Sequence, residues 1–177
     1  DVKEKDGEKY NFVSDKEFRY RKRYLDLIIN PETKADFFCK KAKLVTLSDD
    51  SGLEIDCLDG KPGIFSSRWA EKYGNFSNAM SEIIKKVKEA SKGTKAQFVC
   101  SLTIQWPDGK KISEIGKIKG NISSKKSGTN GFGYDPIFIP AGYKKTFGEM
   151  EYKEKLLLDH RYIAYKKLEK KIKIYFE

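Results

Sequence analysis

The sequence predicts an α/β fold, a mixed twisted sheet flanked by helices, preceded by a mainly helical N-terminal appendage. Three observations predict it. Apolar residues recur at helical spacing over residues 78–90, with Met80, Ile83, Ile84, Val87 and Ala90 on one face. Two long strand-like runs, 96–106 and 111–122, meet at Pro107-Asp108-Gly109, a turn sequence that makes them an antiparallel hairpin. Leu53, Ile55 and Cys57 alternate with Glu54 and Asp56, the pattern of a half-buried strand.

Taken in order, residues 1–10 are charged, lack periodicity and read as a tail. A helix is predicted from Ser14, where Ser14 and Glu17 form a capping box, through Phe18, Tyr20, Tyr24, Leu25 and Leu27 to Asn30-Pro31. A second helix, 32–43, carries Phe37, Phe38 and Ala42. The apolar run 44–47 then opens into Asp49-Asp50. Successive side chains on a strand face opposite ways, so two adjacent carboxylates serve one site only if the chain bends, and Ser51-Gly52 supplies a bend. The strand after it ends at Asp59-Gly60, and Pro62-Gly63 with Ser66-Ser67 forms a loop into a short helix around Arg68-Trp69-Ala70. Beyond the hairpin, 123–133 is a loop rich in Ser, Lys, Gly, Thr and Asn, and Tyr134-Asp135-Pro136 leads into the apolar Ile137-Phe138-Ile139. Thr146 and Glu149 make a second capping box, and a last helix from Asp159 turns Ile163, Leu168 and Ile172 inward.

Composition narrows the function classes. A chain of 177 residues fits one domain with a real core, alone or with an appendage. The net charge of +10, from 36 Lys and Arg against 26 Asp and Glu, favours anionic partners such as nucleotides, nucleic acid or acidic membrane surfaces. The lysines are scattered, and a solvated surface gives the same sum; arginine clusters with aromatics only over 19–23. Nucleic-acid binding through the N-terminal helix is therefore an alternative and not the favoured reading. Three cysteines without a Cys-x-x-Cys pair, beside one histidine, argue against zinc and disulfides, and Cys57 and Cys100 read as small core residues. No signal peptide is read, and no apolar run approaches the roughly 18 residues of a membrane span, so a soluble cytoplasmic setting is the default.

Three stretches carry candidate chemistry. Asp49-Asp50, followed by a hydroxyl at Ser51 and a flexible Gly52, suits a magnesium ion and a water to be activated, or forms a plain surface turn. The loop 128–136 brings glycine backbone near an anion and offers Phe132 or Tyr134 as a ring on which a base could stack, although such rings are more often core. Lys155, His160 and Arg161 supply hydrogen-bond donors.

The order of the motifs adds specificity. Ser48-Asp49-Asp50-Ser51-Gly52-Leu53, Lys61-Pro62-Gly63-Ile64-Phe65-Ser66-Ser67-Arg68, Gly131-Phe132-Gly133-Tyr134-Asp135-Pro136-Ile137-Phe138, Thr146-Phe147-Gly148-Glu149-Met150, then Lys155 and His160-Arg161 follow one another. Over residues 47–170 this order resembles the inosine triphosphate pyrophosphatase family. The resemblance implies a nucleotide cleft and hydrolysis of ITP, dITP or XTP to the monophosphate and pyrophosphate with Mg2+, by a homodimer. It implies Asp50 as proton acceptor and metal ligand with Asp49 beside it, and Ser51 in contact with substrate. Phe132, Gly133, Tyr134 and Asp135 would line the base and sugar region, and Lys155, His160 and Arg161 would complete the base pocket. A donor-rich pocket pairs with the 6-oxo group of hypoxanthine or xanthine and sets donor against donor with adenine, a discrimination of as much as about 10⁴-fold.

The pattern departs from the family upstream. Its Ser/Thr-x-Asn-x-x-Lys loop, which grips the triphosphate, and its metal-binding glutamate have no counterpart motif; Glu17 and Glu32 are upstream carboxylates without one. Residues 16–30 instead resemble the segment of class II lysyl-tRNA synthetases between the anticodon-binding and catalytic domains. The chain accordingly divides into a synthetase-like appendage, 1–46, and a pyrophosphatase-like domain, 47–177, lacking the family's first strand and loop. A product that keeps the fold with little or no catalysis is the second reading.

Overall fold

The computed structural model describes the backbone of residues 2–5, 8–11 and 15–176, with side chains from 29 to 174. Strands β1 (Val2–Lys5) and β2 (Glu8–Asn11) pair antiparallel, where the sequence reads as a tail. Helix α1 (Asp15–Ala42) follows, and then a five-stranded sheet in the order β4-β3-β5-β6-β7. Its strands are β3 (Thr46–Ile55), β4 (Lys61–Gly63), β5 (Lys95–Gln105), β6 (Lys111–Ile122) and β7 (Phe138–Pro140). Between β4 and β5 lie α2 (Ser66–Lys72) and α3 (Phe76–Ala90); α4 (Tyr152–Leu158) and α5 (His160–Phe176) close the chain. The α/β architecture of a helix-flanked sheet is as the sequence predicts, and each pairing in it is antiparallel.

Three local expectations are corrected. Asn30-Pro31 does not end a helix: α1 runs unbroken through Pro31, which is fully buried. Proline forfeits one backbone hydrogen bond in a helix interior. Here burial of its ring compensates, and its carbonyl accepts the Ser48 hydroxyl of the adjoining strand. Ser51-Gly52 does not bend the chain: β3 pairs with β5 without interruption from Thr46 opposite Gln105 to Ile55 opposite Ala96. Lys61-Pro62-Gly63 is not only loop, because it pairs with Ile55-Glu54-Leu53 as β4. The Ser14 capping box and the side chains of the Arg19–Arg23 cluster lie outside the described residues.

The strand read as running to Asp59-Gly60 also ends early, at Ile55, and Asp56–Leu58 forms a 3-10 turn; the remaining helices and the hairpin form close to where their patterns place them. Helix α3 starts two residues earlier than predicted because Asn75 caps it, its side chain accepting the Asn78 N–H at 2.8 Å. Its Ala79, Met80, Ile83 and Val87 enter the main core with Leu53, Ile55, Phe98, Ile122, Phe138 and Phe147. The hairpin β5–β6 forms as predicted. On one end of the sheet α5 sets Ala164 and Leu168 against Cys100 and Leu102. The other face receives α1, which packs on β3 and β5. Thus the segment 29–42 is joined to the sheet and not set apart from it.

Candidate active site

The cleft opens on the α5 face of β3. Ser51, Leu53, Ser66, Ser67, Phe76, Phe98, Phe132, Tyr134, Asp135, His160 and Arg161 are among the residues around a volume of about 510 Å³, continuous with solvent. Two side chains hold its floor. Tyr134 is buried, donates its hydroxyl to the Ser66 carbonyl at 2.7 Å and meets Phe76 edge to face, at 5.2 Å between ring centroids. Its ring is thus a wall of the cleft and part of the core together. His160 is also buried and lies flat on Phe98, 4.9 Å between centroids and 9° from parallel.

Phe132 is different, being 60% exposed at the rim. Its position is set from below. The Asp135 carboxylate accepts the Phe132 backbone N–H at 2.7 Å, and the same oxygen receives Lys155 Nζ at 2.5 Å. The tight turn that makes this possible passes through Gly131, at φ +76°, where a methyl group would strike the Asp135 carboxylate. Lys155 Nζ lies 4.8 Å and Arg161 Cζ 5.0 Å from the centre of the Phe132 ring, within cation–π range. The predicted Phe132, Gly133, Tyr134, Asp135, Lys155, His160 and Arg161 therefore come together, with Ser51 across the cleft from them.

Electrostatics follow from burial. The Asp135–Lys155 pair is almost dry, with side chains 3% and 10% exposed. Burial pushes the Asp135 carboxyl above the usual range, against the opposing pull of Lys155 and the Phe132 N–H. Burial likewise pushes the His160 imidazole down to about 4, against the attraction of Asp159, so the ring is neutral near pH 7. The buried Ser51 Oγ has no hydrogen-bond partner among the described residues, which leaves a polar atom at the cleft to be satisfied by what enters it; His160 Nδ1 also has none within hydrogen-bond length and faces the Asp159 carboxylate.

The aspartates behave otherwise than a shared site requires. With β3 straight, Asp49 and Asp50 leave it on opposite faces. Asp49 joins the cleft face with Ser51, and its carboxylate stands 3.7 Å from Arg161 Nε. Asp50 turns to α1, where it accepts Asn30 Nδ2 at 3.2 Å and lies 3.8 Å from Lys34 Nζ. Glu32 is engaged elsewhere, receiving Lys111 Nζ at 2.6 Å and the Ser113 hydroxyl at 2.9 Å; the side chain of Glu17 lies outside the described residues. Among the described residues no three Asp, Glu, His or Cys side chains gather to hold a metal ion. The residues present do not fit a metal centre shared by Asp49 and Asp50.

Sequence reasoning passed over Asp159. This carboxylate is buried, accepts the Arg161 N–H at 2.7 Å, and lies 3.6 Å from both Lys155 Nζ and His160 Nδ1. Its signal was present: four residues after Lys155 and at the cap of the helix that starts with His160-Arg161, it reaches all three. Phe76 carried no such signal, since only the fold brings α3 to the cleft, and Ser66 stood in the 61–68 motif without a role assigned to it.

Comparison with known proteins identifies the fold and the family. The chain is 42% identical over 145 residues to the dITP/XTP pyrophosphatase of Zymomonas mobilis, covering 80% of this chain and 68% of the relative. Against the dITP/XTP pyrophosphatase of Rhodospirillum centenum identity is 39% over 156 residues, 81% of this chain and 77% of the relative. Among solved structures, the HAM1 protein of Coxiella burnetii superposes with a TM-score of 0.78 at 31% identity, over 83% of this chain and 76% of that one. The Staphylococcus aureus Ham1 protein gives 0.77 at 32%, over 81% and 74%. The match to the Ham1 family runs over residues 14–171, taking in all of α1 as well as the sheet and cleft: the chain belongs to the Ham1 family.

Proposed function

We propose that this chain hydrolyses deaminated purine nucleoside triphosphates, ITP, dITP and XTP, to the monophosphate and pyrophosphate, clearing them from the cytoplasmic nucleotide pool. The carrying observation is that Phe132, Asp135, His160 and Arg161 line one cleft, with Lys155 paired to Asp135 against the Phe132 ring, in a member of this family. The purine lies against the Phe132 ring, and Tyr134 and Gly133 bound the sugar. Lys155 and Arg161 turn donors toward the 6-oxo group, His160 lies beside them as a neutral ring that orients Arg161, and Ser51, with its unsatisfied hydroxyl, binds substrate.

The phosphates extend over the outer edge of β3, where Thr46–Gly52 has no neighbouring strand among the described residues. Asp50, with a side chain 18% exposed at that edge, is the proton acceptor for the attacking water. Magnesium enters as the ion of the Mg–triphosphate substrate. A homodimer is the proposed assembly. Steady release of pyrophosphate from Mg–ITP, well above that from Mg–ATP and abolished by Asp50→Asn, tests the reading. A second reading, the fold with feeble catalysis, is favoured by the divergence of Asp49 and Asp50; no release even at high enzyme concentration would establish it and sink the first.

A further inference from the structure

Lys155, His160 and Arg161 of the proposed base pocket are backed by one carboxylate, Asp159, and what it does to the imidazole sets the rest. Arg161 Nη1 lies 3.3 Å from His160 Nε2. A guanidinium only donates, so this contact requires a lone pair on Nε2. The imidazole must then be neutral with its proton on Nδ1. Nδ1 is the atom that faces Asp159 Oδ1, at 3.6 Å an electrostatic contact just beyond hydrogen-bond length. The neutral state is the one burial against Phe98 favours. On its other side Arg161 reaches Asp49 at 3.7 Å and covers Phe132 at 5.0 Å.

We propose that Asp159 is a positioning residue: it holds His160 in the Nδ1–H tautomer, through which Arg161 is fixed across the cleft mouth and Lys155 is steadied beside it. The chain of contacts runs from Asp159 to His160 to Arg161 to the rim. The other charged groups facing the imidazole are Lys155 and Arg161, both cations, and their repulsion adds to the exclusion of a second ring proton. A Nε2–H tautomer would set donor against donor at Arg161 and release the guanidinium to solvent. Part of the inference, the consequence for substrate choice, rests on the proposed pyrophosphatase reading. The bland account of Asp159 is an N-cap for α5, since it accepts the Arg161 N–H.

The chain's single histidine makes the test direct, because its ring nitrogens give the only imidazole signals in a two-bond proton–nitrogen NMR spectrum. Asp159→Ser keeps a capping hydroxyl without the carboxylate, and Asp159→Asn keeps cap and shape without the charge; two variants guard against one that folds poorly. In the full chain at pH 7 the wild type should show the Nδ1–H tautomer, and both variants a shift toward Nε2–H or a mixture. The preference for Mg–ITP over Mg–ATP in kcat/KM should fall about tenfold, carried by KM. An unchanged tautomer in a folded variant overturns the proposal, as does a changed tautomer with unchanged preference. If the wild type hydrolyses neither nucleotide, the pyrophosphatase reading fails by itself. The tautomer and the relative equilibrium affinities for ITP and ATP, in wild type and variants, then decide the position of Asp159.

Discussion

At the scale of single residues, the site is built from charges taken out of water. His160 shows the consequence for stability. Unfolded, a histidine takes up its proton near pH 6.5; in the folded chain burial holds the imidazole down to about 4. Between those values the unfolded state binds more protons, so stability rises with pH from about 4 to 6.5 and is fully present above that. The expected span is about 3 kcal/mol. Asp135 works in the opposite sense, since its raised carboxyl pKa favours the folded state at the acid end of the same range. Urea unfolding at pH 4.5 and 7 should therefore show a net loss in acid that His160→Phe removes; an equal loss in that variant would assign it to other groups. Phe132 gives the contrasting case. Being exposed, it contributes little to folding, and Phe132→Ala should leave the melting temperature within about 1–2 °C while raising KM for Mg–ITP about tenfold, as steady-state kinetics would read.

At the scale of elements, the approach of α5 to β6 is the contact on which the site's geometry turns. Gly116 of β6 lies directly beneath the first turn of α5, and a methyl group there would overlap the His160 carbonyl oxygen and crowd the Ala164 amide. Both obstacles are backbone, so the helix must move as a body. Gly116→Ala should cost about 1–3 kcal/mol in denaturant unfolding. It should also lower kcat/KM more than Phe132→Ala does, because it displaces His160 and Arg161 together. A fully active, fully stable Gly116→Ala protein would show that the helix does not depend on this approach. Such a contact is not legible in a sequence, where glycine in a strand reads only as a weak point. What was legible has a local cause: the 78–90 periodicity gave α3, and Pro107-Asp108-Gly109 gave the β5–β6 hairpin. Pro31 misled because its cost is local whereas its compensation, burial and the Ser48 hydroxyl, comes from another element. Helix α4, which carries Lys155, went unread because seven residues are too few to display a period.

At the scale of the whole molecule, the sheet explains both what brings the cleft residues together and what divides the aspartates. Ordered motifs located the cleft residues because such motifs are spaced by the fold they belong to. They did not give the direction of Asp49 and Asp50, which depends on whether β3 runs straight; its uninterrupted ladder with β5 decides that. The same strand leaves an open flank. Beside the outer edge of Thr46–Gly52, Leu44, Val45 and Leu47 are 67%, 51% and 60% exposed, an apolar edge of the kind that invites pairing with another chain. Opposing this is the net charge of +10, which keeps copies apart until salt screens it. Self-association followed by light scattering should then increase as salt is raised from about 0.02 to 0.5 M, where the Debye length falls to a few ångströms. Leu47→Lys adds a charge to the edge itself and should suppress that increase, with unfolding free energy changed by no more than about 0.5 kcal/mol since the side chain is largely solvated. Equal association in wild type and Leu47→Lys would move the contact away from β3, and association that declines with salt would show attraction between charged patches instead of an apolar edge.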